Sequence, residues 1–144
     1  MNMVQVYIKG QEDKELSSFL RYYPVRIKNI GMDAFFDRQV VYDFKDGRNH
    51  ADVAKCVAKM LIKVVGERTA VHGTKVKKDE REKRLKENIE VDANFFKNKI
   101  VCIWDDVVTT GTSFCAYTAQ LEQVGAHVTN GIFLGKTSYK YVQQ

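Results

Sequence analysis

The stretch IVCIWDDVVTTGTS, from Ile100 to Ser113, decides the fold of this chain. Its first five residues are apolar, which is typical of a strand buried on both faces, and Asp105-Asp106 is expected to end that strand. The small polar run Thr109 to Ser113 opens a helical pattern, and a second apolar stretch, Ala126 to Leu134, follows it. This order indicates a βαβ unit, and therefore an α/β domain with a mainly parallel central sheet flanked by helices.

The junction of strand, loop and helix carries the chemistry that the sequence predicts. The carboxyl ends of parallel strands border a crevice where ligands bind, and a small-residue loop at a helix start presents backbone N–H groups to an anion. The run Thr109 to Ser113 adds four hydroxyl groups, and Gly111 permits a positive φ. We expect an anion, such as a phosphate monoester, at this loop. Asp105 and Asp106 would accept hydrogen bonds from sugar hydroxyls or help to hold a hydrated Mg²⁺.

This string resembles the motif with which type I phosphoribosyltransferases bind 5-phosphoribosyl pyrophosphate (PRPP): an apolar strand, two acids, two apolar residues and Thr-Thr-Gly-x-Thr/Ser. The resemblance covers residues 100–113 closely. It implies that Asp105 and Asp106 are the catalytic pair and contact the ribose hydroxyls, and that Mg²⁺ arrives bound to the pyrophosphate, with no direct metal ligand from the chain. The residues implied to hold the 5′-phosphate are Thr109, Thr110, Gly111, Thr112 and Ser113.

Upstream, the chain resembles the ComF-like and amidophosphoribosyltransferase-like branch of that family. The string VVYDFKDGRNHADVAKCVAKML, which starts at Val40, begins as a strand or helix end, and RLKEN precedes the acidic strand. Asn49 is expected to cap a helix that ends at Gly66. The apolar residues of this helix recur at helical spacing, namely Ala54, Val57, Ala58, Leu61, Ile62 and Val65.

One part of the family pattern is missing, namely a strand followed by a small loop that grips pyrophosphate. The nearest candidate is the run Ile62 to Val65, followed by Gly66, Glu67 and Arg68. The apolar spacing instead predicts a helix through at least Leu61, with no pyrophosphate loop behind it that faces the phosphate site. We therefore interpret the chain as a shortened family member in which catalysis is impaired, because the leaving pyrophosphate needs its own donors.

A second phosphate-binding motif is excluded by spacing. The string Gly135-Lys136-Thr137 would end a P-loop only with a glycine five residues before Gly135, and Asn130 stands there.

The composition is that of a globular domain of 144 residues, of which 44% are hydrophobic and 28% charged. No apolar run approaches the roughly 20 residues that span a bilayer, and the start MNMVQVYIKG lacks the pattern of a secretory signal. Cys56, Cys102 and Cys115 show no CxxC spacing, which indicates buried thiols in a reducing cytoplasm. The three histidines share no metal-ligand spacing.

The net charge of +5 is concentrated in one segment, because Lys75 to Glu87 holds seven basic and four acidic residues. Its mixed signs, without interleaved aromatic residues, argue against a nucleic-acid face. The segment is interpreted as a solvated helix or a mobile loop, with a lid over PRPP as an alternative.

The resemblance implies transfer of a 5-phosphoribosyl group from PRPP to a nitrogen nucleophile, with release of pyrophosphate. Such chemistry depends on positioning and charge stabilisation rather than on a covalent nucleophile. Two alternatives stay open: a non-catalytic regulator that binds a phosphoribosyl group or nucleotide, and an RNA-binding regulator on the same fold. Residues 1–40 show no motif for the acceptor. Homodimers are common in the family, so the resemblance also implies a homodimer as the oligomeric state to test.

Overall fold

The structure is a computed structural model that describes residues 3–66 and 91–141. The described elements, in chain order, are β1 (Val4–Gln5), β2 (Glu15–Tyr22), α1 (Met32–Lys45), α2 (His50–Val65), α3 (Ala93–Phe96), β3 (Ile100–Val108), α4 (Thr112–Gln123) and β4 (His127–Thr137). No helix within the described ranges has both the length and the apolar character that crossing a membrane requires.

The four described strands form one mixed sheet in the order β1-β2-β4-β3. β2 and β3 both run parallel to β4, while β1 is antiparallel to β2. Because β3, α4 and β4 are consecutive and the two strands are parallel, the predicted βαβ unit is confirmed. The fold is a small α/β fold whose sheet is mainly parallel.

The core lies on both faces of β4, the strand between β2 and β3. Phe133 packs into a cluster with Phe114 of α4, whereas Ile132 and Leu134 pack into a cluster with residues of α1 and α2. The first cluster consists of Val6, Ile8, Leu16, Val108, Phe114, Leu121, Ala126, Val128 and Phe133. The second consists of Phe19, Val41, Val57, Ile132 and Leu134. Since neighbouring strand residues point to opposite faces, α4 covers one face of the sheet and the α1–α2 pair covers the other.

Strand β3 is longer than the sequence predicts. The expectation that Asp105-Asp106 ends it is wrong, because Val107 and Val108 still pair with residues of β4. The expected second strand stops at Leu134, but β4 continues to Thr137 and so offers a partner for this end of β3. Both carboxylates therefore lie within a paired strand, and Val107 and Val108 separate them from the loop.

Residues 11–38 contain β2 and the beginning of α1. The apolar pattern of β2 is hidden because its most buried position is Ser18. The hydroxyl of Ser18 donates to backbone carbonyls, with Leu20 O at 2.7 Å and Leu134 O at 3.2 Å. For the string that starts at Val40, the helix-end interpretation is confirmed, because these residues complete α1.

Helix α2 extends to Val65 and so confirms the helix predicted through Leu61. The alternative strand at Ile62 to Val65 is wrong, because these residues close the helix, and Gly66 ends it with a φ of 76°. Asn49 stands at the N-cap as predicted, but its side chain makes no cap hydrogen bond. Its backbone adopts a left-handed conformation with a φ of 50°, so the residue serves the turn rather than the cap.

The apolar face of α2 is narrower than the sequence spacing suggests. Val57 is 8% exposed in the core, but Ile62 is 53% exposed, and Ala58 is also exposed. Cys56 lies on the exposed side as well, so the expectation that the thiols are buried is wrong for this residue. The charged segment Lys75 to Glu87 and the string RLKEN lie outside the described residues.

A pair of alanine substitutions on α2 tests this face. Val57→Ala removes buried carbon groups and should lower the free energy of unfolding by about 1.5–2 kcal/mol. Ile62→Ala removes more carbon but mostly exposed surface, so its effect should stay within about 0.5 kcal/mol. Urea denaturation of both variants measures the difference, and equal losses would contradict the orientation of the helix.

Candidate functional site

The loop Thr109 to Gly111 connects β3 to α4 at the carboxyl end of the parallel strands. Val108, the last residue of β3, pairs with Lys136 near the end of β4, so both strands end beside this loop. Thr109 and Thr110 are exposed, and Thr112 and Ser113 form the beginning of α4 rather than part of the loop. The predicted phosphate-binding residues are therefore together, at the junction that the sequence indicates.

The start of α4 provides donors for an anion. Its N-cap is Gly111, which makes no side-chain cap hydrogen bond, and the first backbone bond runs from the Cys115 N–H to the Gly111 carbonyl at 2.9 Å. The N–H groups of a first helical turn have no acceptor within the helix. With the positive end of the helix dipole, they give this end of α4 the properties of an anion-binding site.

Gly111 is held by close packing as well as by its backbone conformation. Its φ is 87°, and a Cβ atom placed on it would lie 2.7 Å from Cδ1 of Ile8. Ile8 is itself buried in the α4-side cluster, so it has little room to move. The segment after β1 thus lies against the helix start and fixes the position of the loop.

The threonine hydroxyls of the site form hydrogen bonds with one another in pairs. The Oγ1 atoms of Thr110 and Thr112 are 2.9 Å apart, and those of Thr109 and Thr137 are 2.8 Å apart. One hydroxyl hydrogen serves each pair, which leaves the second hydrogen of each pair for another acceptor. The hydroxyls are therefore ordered before any ligand arrives.

Asp105 and Asp106 are half-buried near the end of β3. Oδ1 of Asp105 accepts the Asp106 N–H at 2.8 Å, and Oδ1 of Asp106 accepts the Val107 N–H at 2.7 Å. The carboxylates thus bind the backbone that immediately follows them. Within residues 3–66 and 91–141, no three His, Cys, Asp or Glu side chains gather into a group that could hold a metal ion.

The aromatic residue before this pair is Trp104, the only tryptophan of the chain. Its ring centroid lies 6.0 Å from that of Phe19 in β2 and 6.4 Å from that of Phe44 in α1, where the two planes are perpendicular. The indole therefore packs in the core on the α1–α2 side, directly beside the two acids in sequence.

Lys136 belongs to the site although the motif does not include it. Its Nζ donates to the carbonyl of Thr109 at 2.9 Å, so a residue of β4 holds the first residue of the loop. Burial lowers the pKa of the Lys136 ammonium, because removal from water disfavours the charged form. The sequence signal was available: the carboxyl ends of adjacent parallel strands lie at one edge, and Gly135-Lys136-Thr137 ends such a strand.

Of the three residues predicted to bind pyrophosphate, the structure describes only Gly66. Gly66 is an exposed C-cap of α2, while Glu67 and Arg68 lie outside the described residues. This part of the site stays a prediction.

Comparison of the chain with known protein families, with curated proteins and with solved structures finds no match. The chemistry of the site itself is therefore the basis for a function of the chain.

Proposed function

We propose that this protein binds PRPP at the loop between β3 and α4 and transfers its 5-phosphoribosyl group to a nitrogen nucleophile, releasing pyrophosphate. The observation that carries the proposal is the start of α4, where Gly111 leaves the first-turn N–H groups without a side-chain cap. The motif resemblance of residues 100–113 supports the ribose 5-phosphate part of the ligand. The neighbouring carboxylates give that ligand its second set of contacts.

Binding divides between the two parts of the junction. The 5′-phosphate accepts hydrogen bonds from the N–H groups at the start of α4 and from the hydroxyl hydrogens that the threonine pairs leave over. Asp105 and Asp106 accept hydrogen bonds from the ribose 2′- and 3′-hydroxyls. The sugar is thereby held at both ends, which fixes the anomeric carbon against the incoming nitrogen.

The chemical step breaks the bond from the anomeric carbon to the pyrophosphate oxygen and forms one to the nitrogen. Positive charge develops on the sugar in the transition state, and the two half-buried carboxylates stabilise it. Mg²⁺ enters as part of the substrate, bound to pyrophosphate oxygens, and supplies charge neutralisation for the leaving group. The nitrogen acceptor is a base or amine whose binding residues the motif does not name.

A second candidate, a non-catalytic phosphoribosyl or nucleotide-binding regulator, is favoured by one observation. The run Ile62 to Val65, the nearest candidate for a strand before a pyrophosphate loop, closes a helix instead. A protein that holds the 5′-phosphate and the ribose but not the pyrophosphate would bind the ligand without turning it over efficiently.

Calorimetry with PRPP and Mg²⁺, combined with an assay of pyrophosphate release, separates the candidates. Phosphoribosyl transfer predicts binding together with acceptor-dependent release, tested with ammonia and a panel of purine and pyrimidine bases. The regulator predicts comparable binding of PRPP and ribose 5-phosphate without release. Ribose, which lacks the phosphate, is the control and should bind at least about tenfold more weakly than ribose 5-phosphate. Equal affinity for ribose and ribose 5-phosphate would contradict both.

A further inference from the structure

Lys136 is a partly buried cation without a carboxylate partner in the described part of the chain. Among the described residues, its Nζ donates to the Thr109 carbonyl, which is neutral. Lys14 shows the contrast, because its equally long side chain forms ion pairs with Asp13 at 3.2 Å and Glu122 at 2.9 Å. The charge of Lys136 is therefore not neutralised by the described fold, and burial makes that charge costly.

The ammonium group of Lys136 lies next to the loop between β3 and α4. Through Thr109 it lies beside the loop that opens α4, whose N-terminus also carries positive potential. Two positive features side by side repel each other, and a bound anion relieves the repulsion of both. The ammonium has three hydrogens, so it can retain Thr109 and still donate to a ligand.

We infer that Lys136 is the side-chain cation of the 5′-phosphate site and that its charge makes the loop prefer a dianionic phosphate. The inference rests on the proposed function, since it names the residue that recognises one part of PRPP. Thr137, the next residue of β4, supports the arrangement by its hydroxyl contact with Thr109. The end of β4 thus belongs to the phosphate site together with the TTGTS run.

Two substitutions of Lys136 distinguish the effect of its charge on ligand binding from the effect of its hydrogen bond to the Thr109 carbonyl. Lys136→Gln keeps a donor for the Thr109 carbonyl but removes the charge, and Lys136→Arg keeps the charge. Lys99→Met is the matched control, because it removes one exposed positive charge at the opposite, amino end of β3. Affinity is measured by calorimetry for inorganic phosphate and for ribose 5-phosphate, with urea denaturation of every variant to verify folding.

Lys136→Gln should bind both ligands about tenfold or more weakly, whereas Lys136→Arg should stay within about threefold and Lys99→Met should match the wild type. The wild-type affinity should also fall with added salt more steeply than that of Lys136→Gln. Wild-type affinity in Lys136→Gln, or equal losses in it and Lys99→Met, would overturn the inference. A wild type that binds phosphate through Lys136 but neither binds nor turns over PRPP would refute phosphoribosyl transfer and leave this inference standing.

Discussion

Gly111→Ala should unfold at a clearly lower urea concentration than the wild type, with a loss of about 2–5 kcal/mol in the free energy of unfolding. A left-handed conformation costs a residue with a Cβ atom about 1–2 kcal/mol. The remainder comes from overlap with Ile8, which lies 2.7 Å from the added carbon, since forcing extra volume into a packed core costs about 1–3 kcal/mol.

Gly47→Ala is the control that isolates the packing contribution. Gly47 has a φ of 77°, close to that of Gly111, but a Cβ atom on it would meet nothing within 4 Å. Its substitution should therefore show the backbone strain alone. If the two alanine variants lose equal stability, the contact between Ile8 and the start of α4 contributes nothing measurable.

The double substitution Asp105→Asn with Asp106→Asn should weaken PRPP binding at least about thirtyfold while leaving the protein folded. Each hydrogen bond to a charged group contributes about 1–3 kcal/mol, and both ribose contacts lose their charge. The fold should survive, because asparagine keeps an oxygen that can accept the hydrogen bonds that the N–H groups of residue 106 and Val107 donate. Calorimetry with PRPP and Mg²⁺ measures the affinity.

The control for this pair is Asp46→Asn, which neutralises an exposed carboxylate in the turn after α1. It should bind PRPP as the wild type does. An unchanged affinity in the double variant would show that the two carboxylates serve only their contacts with the backbone of β3.

The βαβ unit could be predicted from the sequence because its signals are local. The apolar run of β3, the small-residue loop and the helical spacing of α4 follow one another directly within residues 100–123. β2 could not be predicted in the same way, since Ser18 interrupts its apolar pattern and is satisfied only by carbonyls that the folded sheet brings to it. The sequence predicts too short a β3 for a related reason, namely that pairing with β4 outweighs the local preference of two aspartates for a strand end.

The candidate site could be predicted as far as it is contiguous in the chain. Asp105, Asp106 and the run Thr109 to Ser113 follow one another, so a motif can contain them. Lys136 joins them only because β3 and β4 are adjacent and in register, which a spacing rule along the chain does not express. The run Ile62 to Val65 belongs to α2, as its apolar spacing predicts, while the expected pyrophosphate-binding residues Glu67 and Arg68 lie outside the described residues.

The packing of Trp104 makes this residue an intrinsic fluorescent probe of the fold. Because the chain has no other tryptophan, its native fluorescence comes from one indole that lies among Phe19 and Phe44 and precedes Asp105 in β3. A ligand drawn to the acids changes the electric field at that indole, and loosening of α1 exposes it to water. Emission intensity and wavelength should therefore change when the chain unfolds and when the proposed ligand binds, with no added label.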